Sequence, residues 1–257
     1  MLNRNTMKNK FTPFFAQFLL LVLLCSCRSI NHSRSELNIP PSIVYFSFDD
    51  GPNANDDTTA RLLDVLKKYQ IKAVFCLLGE NAERCPELVK RMYNEGHYIV
   101  NHGYSDKWAS RMKPDEFRDN LIRGEKAISA ALGHDMYPKL YRPQGGFYNS
   151  AQEKIINNEG YILVPSNIRV YDAVIDETKR SKVVKQVIKK VEKQRGGIIL
   201  LHDARDSYIQ AETQLAKAPH GVFNRSWIPD TVEEIITILL KKGFILNNPD
   251  ILTVIGN

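Results

Sequence analysis

The chain has 257 residues, 43% hydrophobic and 25% charged, with no internal repeat and no low-complexity tract beyond its N-terminus. That suits one large globular domain, and a single α/β barrel commonly reaches this length. The formal charge of +6 falls to +3 once the first 26 residues, with three basic and no acidic side chains, are set aside; this is too mild to argue for nucleic acid as a partner.

In chain order, the first feature is a targeting segment over residues 1–26. Arg4, Lys8 and Lys10 make a positive start, and Phe14 to Leu24 is an apolar run broken only by Gln17. The run is too short for a comfortable membrane span. It ends in "LLCSCRS", where Ser26 precedes Cys27 and Leu24 stands three residues before that cysteine. The stretch resembles the lipobox of bacterial lipoproteins, with Cys27 as the lipidated residue. A plain cleaved signal or an N-terminal anchor is the alternative, and Met7 is an alternative start. Residues 27–41 are polar and read as a flexible tether. The expectation is an exported lipoprotein, held to a membrane of the bacterial cell envelope. Of the remaining cysteines, Cys76 and Cys85 are free to pair in an exported protein, yet Cys76 lies in the apolar "AVFCLL" and suits a buried thiol equally well.

From residue 42 to the end, strand-like runs alternate with helical stripes. The runs are "IVYFSF", "KAVFCLLG", "HYIVNH", "KLYR", "YILVPSN", "GIILLH" and "GFIL". Leu62, Leu63, Val65, Leu66 and Tyr69 form one helical stripe, and Phe117, Leu121, Ile128 and Leu132 form a second. A basic helix follows, with Val184, Val187, Ile188 and Val191 as its apolar stripe and its lysines as a solvated face. Val232, Ile235, Ile236, Leu239 and Leu240 make the last, opened by Pro229, Asp230 and Thr231 and stopped at Gly243. Seven alternations predict a parallel sheet closed or nearly closed into a barrel, whose chemistry collects at the C-terminal strand ends. The segment 203–228 reads as one long loop, and loops of that length are often functional.

The strand ends carry the polar groups. Asp49 and Asp50 end the first run. Asn101, His102 and "GYSD" with Asp106 end the third, Arg142 in "YRPQGG" the fourth, and His202 in "LLHD" the sixth. An adjacent Asp pair is either turn chemistry or a site where a metal takes one carboxylate and proton work the other. His97, His134 and His220 read as structural.

Together these motifs resemble the polysaccharide deacetylase family, carbohydrate esterase family four, over roughly residues 43 to 250. "SFDDGP" is similar to its first motif, "NHGYSD" to its second, "RPQGG" to its third and "LLH" to its fifth. The resemblance implies a distorted (β/α)7 barrel and the hydrolysis of N-acetyl groups on an amino-sugar polymer such as peptidoglycan or a chitin-like glycan. It implies Asp49 as general base, Arg142 holding it, and His202 as general acid. It implies a divalent metal, most often zinc, on Asp50 and His102. Asp106 stands where the family has a second metal histidine, giving the set Asp50, His102 and Asp106. Gly145 carries the backbone N–H expected at the oxyanion, although Gln144 and Gly145 replace Pro and an aromatic and predict a less rigid loop. The fourth motif aligns with "NIRVY", so Val170 replaces the carboxylate that orients the catalytic histidine, and Asp172 or Asp203 is left to substitute. Tyr104, Trp227 and Arg225 are the expected glycan contacts. The alternatives are an O-acetyl esterase on a glycan such as xylan, and a non-catalytic glycan-binding lipoprotein.

Overall fold

The computed structural model describes residues 27–30, 37, 39–246 and 250–255. The expected targeting segment 1–26 lies outside them. Strand β1 is Cys27–Ser29, and β2, Val44–Asp49, is buried along its whole length. The two faces of β2 have different neighbours, as the period of two in a strand requires. Val44, Phe46 and Phe48 pack outward on Leu62 and Leu66 of helix α1 (Thr58–Lys68) and on Ile235, Ile236 and Leu239 of the long helix near the C-terminus. Tyr45 faces inward with Cys76, Val100, Leu140 and Ile198. Burial on both faces is what a parallel sheet under helices demands, and it explains the unbroken apolar run.

The chain continues through β3 (Val74–Leu77), α2 (Gly79–Arg84), α3 (Pro86–Asn94), β4 (Tyr98–Asn101), α4 (Pro114–Leu132), β5 (Leu140–Tyr141), β6 (Phe147–Asn149) and α5 (Ser150–Asn158). Then come β7 (Ile162–Leu163), β8 (Ile168–Arg169), α6 (Arg180–Gln194), β9 (Gly197–His202), α7 (Tyr208–Lys217), α8 (Ile228–Lys241) and α9 (Leu252–Ile255). Seven strands form one parallel sheet in the order β7-β5-β4-β3-β2-β9-β8. It is the curled (β/α)7 half-barrel, with its edges at β7 and β8. Leu37, Ile39, Ile251 and Val254 pack on Tyr45 and fill the interior near the strand starts, which leaves the C-terminal strand ends open.

Three expectations are corrected, and one left open is answered. "GFIL" supplies only the single bridge Ile43–Ile245, and the seventh strand is instead β8, inside "NIRVY". The segment 203–228 is not a plain loop, because α7 occupies its middle. Of the two alternatives left open for the cysteines, the structure has the free thiols, Cys76 buried and Cys85 half-buried. The stretch read as a tether is docked where it is described. Cys27–Ser29 pairs antiparallel with Phe147–Asn149, Ile30 N–H donates to Gly146 O at 3.1 Å, and Ile30, Leu37 and Ile39 are buried. An ion pair between Arg28 and Glu153 reinforces the docking. Among the described residues no helix is long and apolar enough to cross a membrane.

Candidate active site

The adjacent aspartates are separated by backbone conformation. Asp49 is the last residue of β2, and its alternation with Tyr45 and Ser47 turns it into the barrel. Asp50 has φ 71, in the left-handed region, which breaks the alternation and lets both carboxylates face the same cleft. Asn81 Nδ2 donates to Asp50 O at 2.8 Å and holds that turn. Behind it, a Cβ on Gly51 would sit 2.6 Å from an oxygen of Asp203, so the close approach of that carboxylate requires glycine.

Asp49 is fixed by Arg142, which follows β5 and is fully buried. Arg142 Nη1 donates to Asp49 Oδ1 at 2.6 Å and to Ser47 Oγ at 3.0 Å. Its Nε donates to Val164 O and its Nη2 to Pro165 O, so the fork cannot swing. Burial works to raise the Asp49 pKa, but Arg142, then His102 and His202, outweigh it and hold the carboxyl down at about 2.

His102 follows β4. Its Nδ1 is 2.7 Å from Arg142 O, and only a protonated Nδ1 can bond a carbonyl. Burial lowers the His102 pKa, keeping the ring neutral. The bare Nε2 then faces Asp50 Oδ1 at 3.5 Å and Asp49 Oδ2 at 3.9 Å. Asp50 is pushed well up, first by burial and then by the charge of Asp106. Lone pairs therefore face lone pairs at a buried point with excess negative charge. This donor set fits a divalent cation, with a histidine oriented through its other nitrogen. Asp106 lines the same cleft. Among the described residues, however, no three His, Cys, Asp or Glu side chains are gathered as a metal-holding group. The three-ligand set is assembled only as far as Asp50 and His102.

His202 ends β9 and stands directly opposite Asp49 in the β2–β9 register. Its partner is Asp172: Nδ1 to Oδ1 is 3.0 Å, and the His202 backbone N–H donates to Oδ2 at 2.9 Å. Tyr171 takes a left-handed turn, φ 56, that brings the next side chain back to β9. The carboxylate missing at Val170 is thus supplied two residues later, just past the motif. Asp203 does not serve: it accepts from Thr59 Oγ1 at 2.5 Å, and burial raises it to about 6. Burial opposes charge on His202, but Asp172, by charge and hydrogen bond, and then Asp50 and Asp49 raise it to about 9.

A cleft of about 400 Å³ opens over these groups. Trp108, Phe147, Tyr171 and Val174 line it and are partly or largely exposed. Gly145 lies in its wall at φ 72, against the Trp108 ring. The third-motif loop is braced, contrary to expectation. Buried Gln144 accepts from Tyr141 OH and donates to Ser105 O, each at 3.1 Å.

The other expected glycan contacts lie elsewhere. Trp227 is 2% exposed, packed in the outer core, with Nε1 donating to Asn224 O. Arg225 is fully buried and donates to Asp172 Oδ2 at 2.5 Å and to His202 O, so it positions the Asp172–His202 pair. Tyr104 donates to Glu83 and stacks under Arg123 beside a separate depression. Sequence reasoning missed the cleft aromatics Trp108, Phe147 and Tyr171. The only available signal was their place, Trp108 and Phe147 just after the second and third motifs and Tyr171 at the end of the fourth.

Fold and site together define a (β/α)7 half-barrel with an acid–base centre at the open ends of its strands. The sequence matches the family described as polysaccharide deacetylase over residues 37–164. It is 34% identical over 202 residues to a peptidoglycan-N-acetylglucosamine deacetylase of Bacillus cereus, covering 78% of this chain but only 64% of that protein. It is 31% identical to a chitooligosaccharide deacetylase of Bradyrhizobium, covering 62% of this chain and 70% of that one. Among solved structures, a peptidoglycan N-acetylglucosamine deacetylase in complex with an N-oxidanyl-benzamide superposes with TM-score 0.61 at 30% identity, over 79% of this chain and 84% of that one. A family 4 acetyl xylan esterase from Clostridium thermocellum, in complex with a cobalt ion, also superposes with TM-score 0.61 at 30% identity, over 78% and 85%. The chain belongs to the polysaccharide deacetylase family.

Proposed function

We propose that the protein is a metal-dependent hydrolase that removes N-acetyl groups from an amino-sugar glycan of the peptidoglycan type, releasing acetate. The observation that carries this reading is one cleft holding two groups in opposite protonation states: Asp49, kept ionised beside Arg142, and His202, kept protonated by Asp172. Hydrolysis of an amide needs both, a base for the water and an acid for the leaving nitrogen. Asp50 and His102 would hold the cation, and Asp106 lines the same cleft. A divalent ion held there would supply Lewis acidity toward the acetyl group. Asp49 takes a proton from the attacking water, whose oxygen bonds to the acetyl carbon. The Gly145 N–H is the donor assigned to the carbonyl oxygen as it gains charge. His202 protonates the nitrogen as the C–N bond breaks, leaving a free amine and acetate. Trp108, Phe147 and Tyr171 suit sugar faces, and aromatic groups with a few polar ones are usual in such clefts.

The deciding experiment pairs elemental analysis of purified protein with acetate release from N-acetylated glycan strands and from acetylated xylan. A bound divalent ion, acetate from the N-acetyl glycan, and loss of that activity on chelation are the expected results. Acetate from xylan alone would replace this reading with the O-acetyl esterase, and release from neither by metal-loaded protein with the non-catalytic one. Asp106→Ala should weaken metal retention; unchanged metal content would restrict the ligands to Asp50 and His102.

The proposal includes export and lipidation at Cys27, supported by the basic start, the apolar run and the small residue before the cysteine. Cys27→Ser should abolish fatty-acid labelling and release the protein from membranes. Labelling that persists in that variant and vanishes with Cys25→Ser would move the site.

A further inference from the structure

Seven buried side-chain nitrogen or oxygen atoms of the described residues lack a hydrogen-bond partner, and only one, Nη1 of Arg205, belongs to a residue that lines the cleft. Arg205 lies three residues beyond His202, on the segment that leads into α7. Its guanidinium carbon lies over the Phe223 ring, 5.1 Å from the centroid, a cation–π contact that helps to hold the side chain in place. Among the described residues no carboxylate lies within ion-pair distance of it. A guanidinium offers five N–H donors, accepts nothing and keeps its charge at any working pH. Leaving such donors unserved is costly, and a ligand that brings an acceptor removes the cost.

The other arginines of the site are already committed. Arg142 is consumed by Asp49, Ser47 and two carbonyls, and Arg225 by Asp172 and His202 O. Arg169 abuts Gly146. The exposed aromatic rim takes a sugar face whatever its charge. Discrimination by charge therefore falls to Arg205. Building on the deacetylase reading of this cleft, we infer that Arg205 is a specificity-determining residue that binds a carboxylate carried by the glycan close to the sugar being deacetylated. The planar fork matches a carboxylate in a way that a hydroxyl or an acetamide does not. A homopolymer of N-acetylglucosamine has no such group, whereas a strand alternating with a lactyl-ether sugar carries one on the neighbouring ring. The preferred substrate is thus an anionic amino-sugar glycan.

The test compares three substrates: peptide-free strands with free lactyl carboxylates, the same strands with those carboxylates converted to methylamides, and neutral N-acetylglucosamine oligomers. The wild-type protein should favour the free acid over the methylamide about tenfold in kcat/KM, carried mainly by KM, and the preference should shrink as salt is raised. Arg205→Gln should collapse that ratio toward one, and Arg205→Lys should restore part of it. Equal kcat/KM on acid and methylamide in the wild type would overturn the inference, as would a ratio that survives Arg205→Gln. Calorimetry with the disaccharide of N-acetylglucosamine and N-acetylmuramic acid, against neutral chitobiose, separates this from the activity itself. Tighter binding of the acid that Arg205→Gln abolishes upholds the inference even where no acetate is released. Equal binding of the two by the wild type refutes it whatever the activity.

Discussion

An Asp172→Asn variant is expected to move the alkaline limb of the pH–rate profile from near pH 9 to below the ordinary histidine value of about 6.5. In the wild type, Asp172 overcomes the burial that otherwise disfavours imidazolium on His202. Without that charge, burial, the largest influence on the ring, is opposed only by Asp50 and Asp49 and pulls the value down. At pH 8 an acid that titrates below 6.5 is mostly spent, and each further pH unit costs about tenfold. Acetate release at that pH should fall about 30-fold or more, from the loss of protonated acid alone. Because Arg225 also loses its carboxylate, the variant loses stability as well, so the shape of the profile decides and its height does not. An alkaline limb that stays near pH 9 would remove Asp172 from the mechanism. Stability follows the same linkage. The folded His202 value lies above the unfolded one, so the pair's contribution is complete below about pH 6.5 and is lost as pH rises through about 9. Thermal scans at pH 6 and pH 10 should differ more for the wild type than for Asp172→Asn.

Arg142→Gln should be the most destabilising single change in the site, by about 3–5 kcal/mol, the usual cost of removing one member of a buried ion pair. Asp49 would stay buried with no cation against it, and Ser47, Val164 and Pro165 would each lose a donor. Denaturant titration measures the loss, and acetate release should fall with it in the fraction that folds. The double change Asp49→Asn with Arg142→Gln leaves no lone charge and should recover part of the stability. A single-variant cost below about 1 kcal/mol would mean that the pair behaves like a surface contact.

The legible part of the site was the part fixed by strand ends. Asp49, Arg142 and His202 each stand at or just after the last residue of a strand, and parallel register alone carries Asp49 to His202. Asp172 escaped because its position depends on one left-handed residue, Tyr171, whose φ has no signature in a tyrosine. The loop 203–228 misled for a different reason. Arg225 and Trp227 look like surface groups by composition, yet the segment folds back and spends both indoors, one on Asp172 and one in the core. The aromatics that do face the cleft come from two loops and the start of β6, with no shared period. Of the seven strands, six announced themselves as apolar runs. The two-residue β8 did not, because a neighbouring strand and not its own sequence makes it a strand.

The docking of β1 onto β6 also sets a length. An extended leash over residues 27–41 would let a fixed N-terminal end sit roughly 50 Å away from the cleft. With Cys27–Ser29 laid into a ladder and Ile30 in the cleft wall, the span from residue 27 is three strand residues, roughly 10 Å. A body attached near that point would carry the cleft as a bracket carries a tool, with fixed facing and little swing. The reach of a body so attached would be a thin layer next to its support, and inserting residues directly after Cys27 would raise the layer that it reaches.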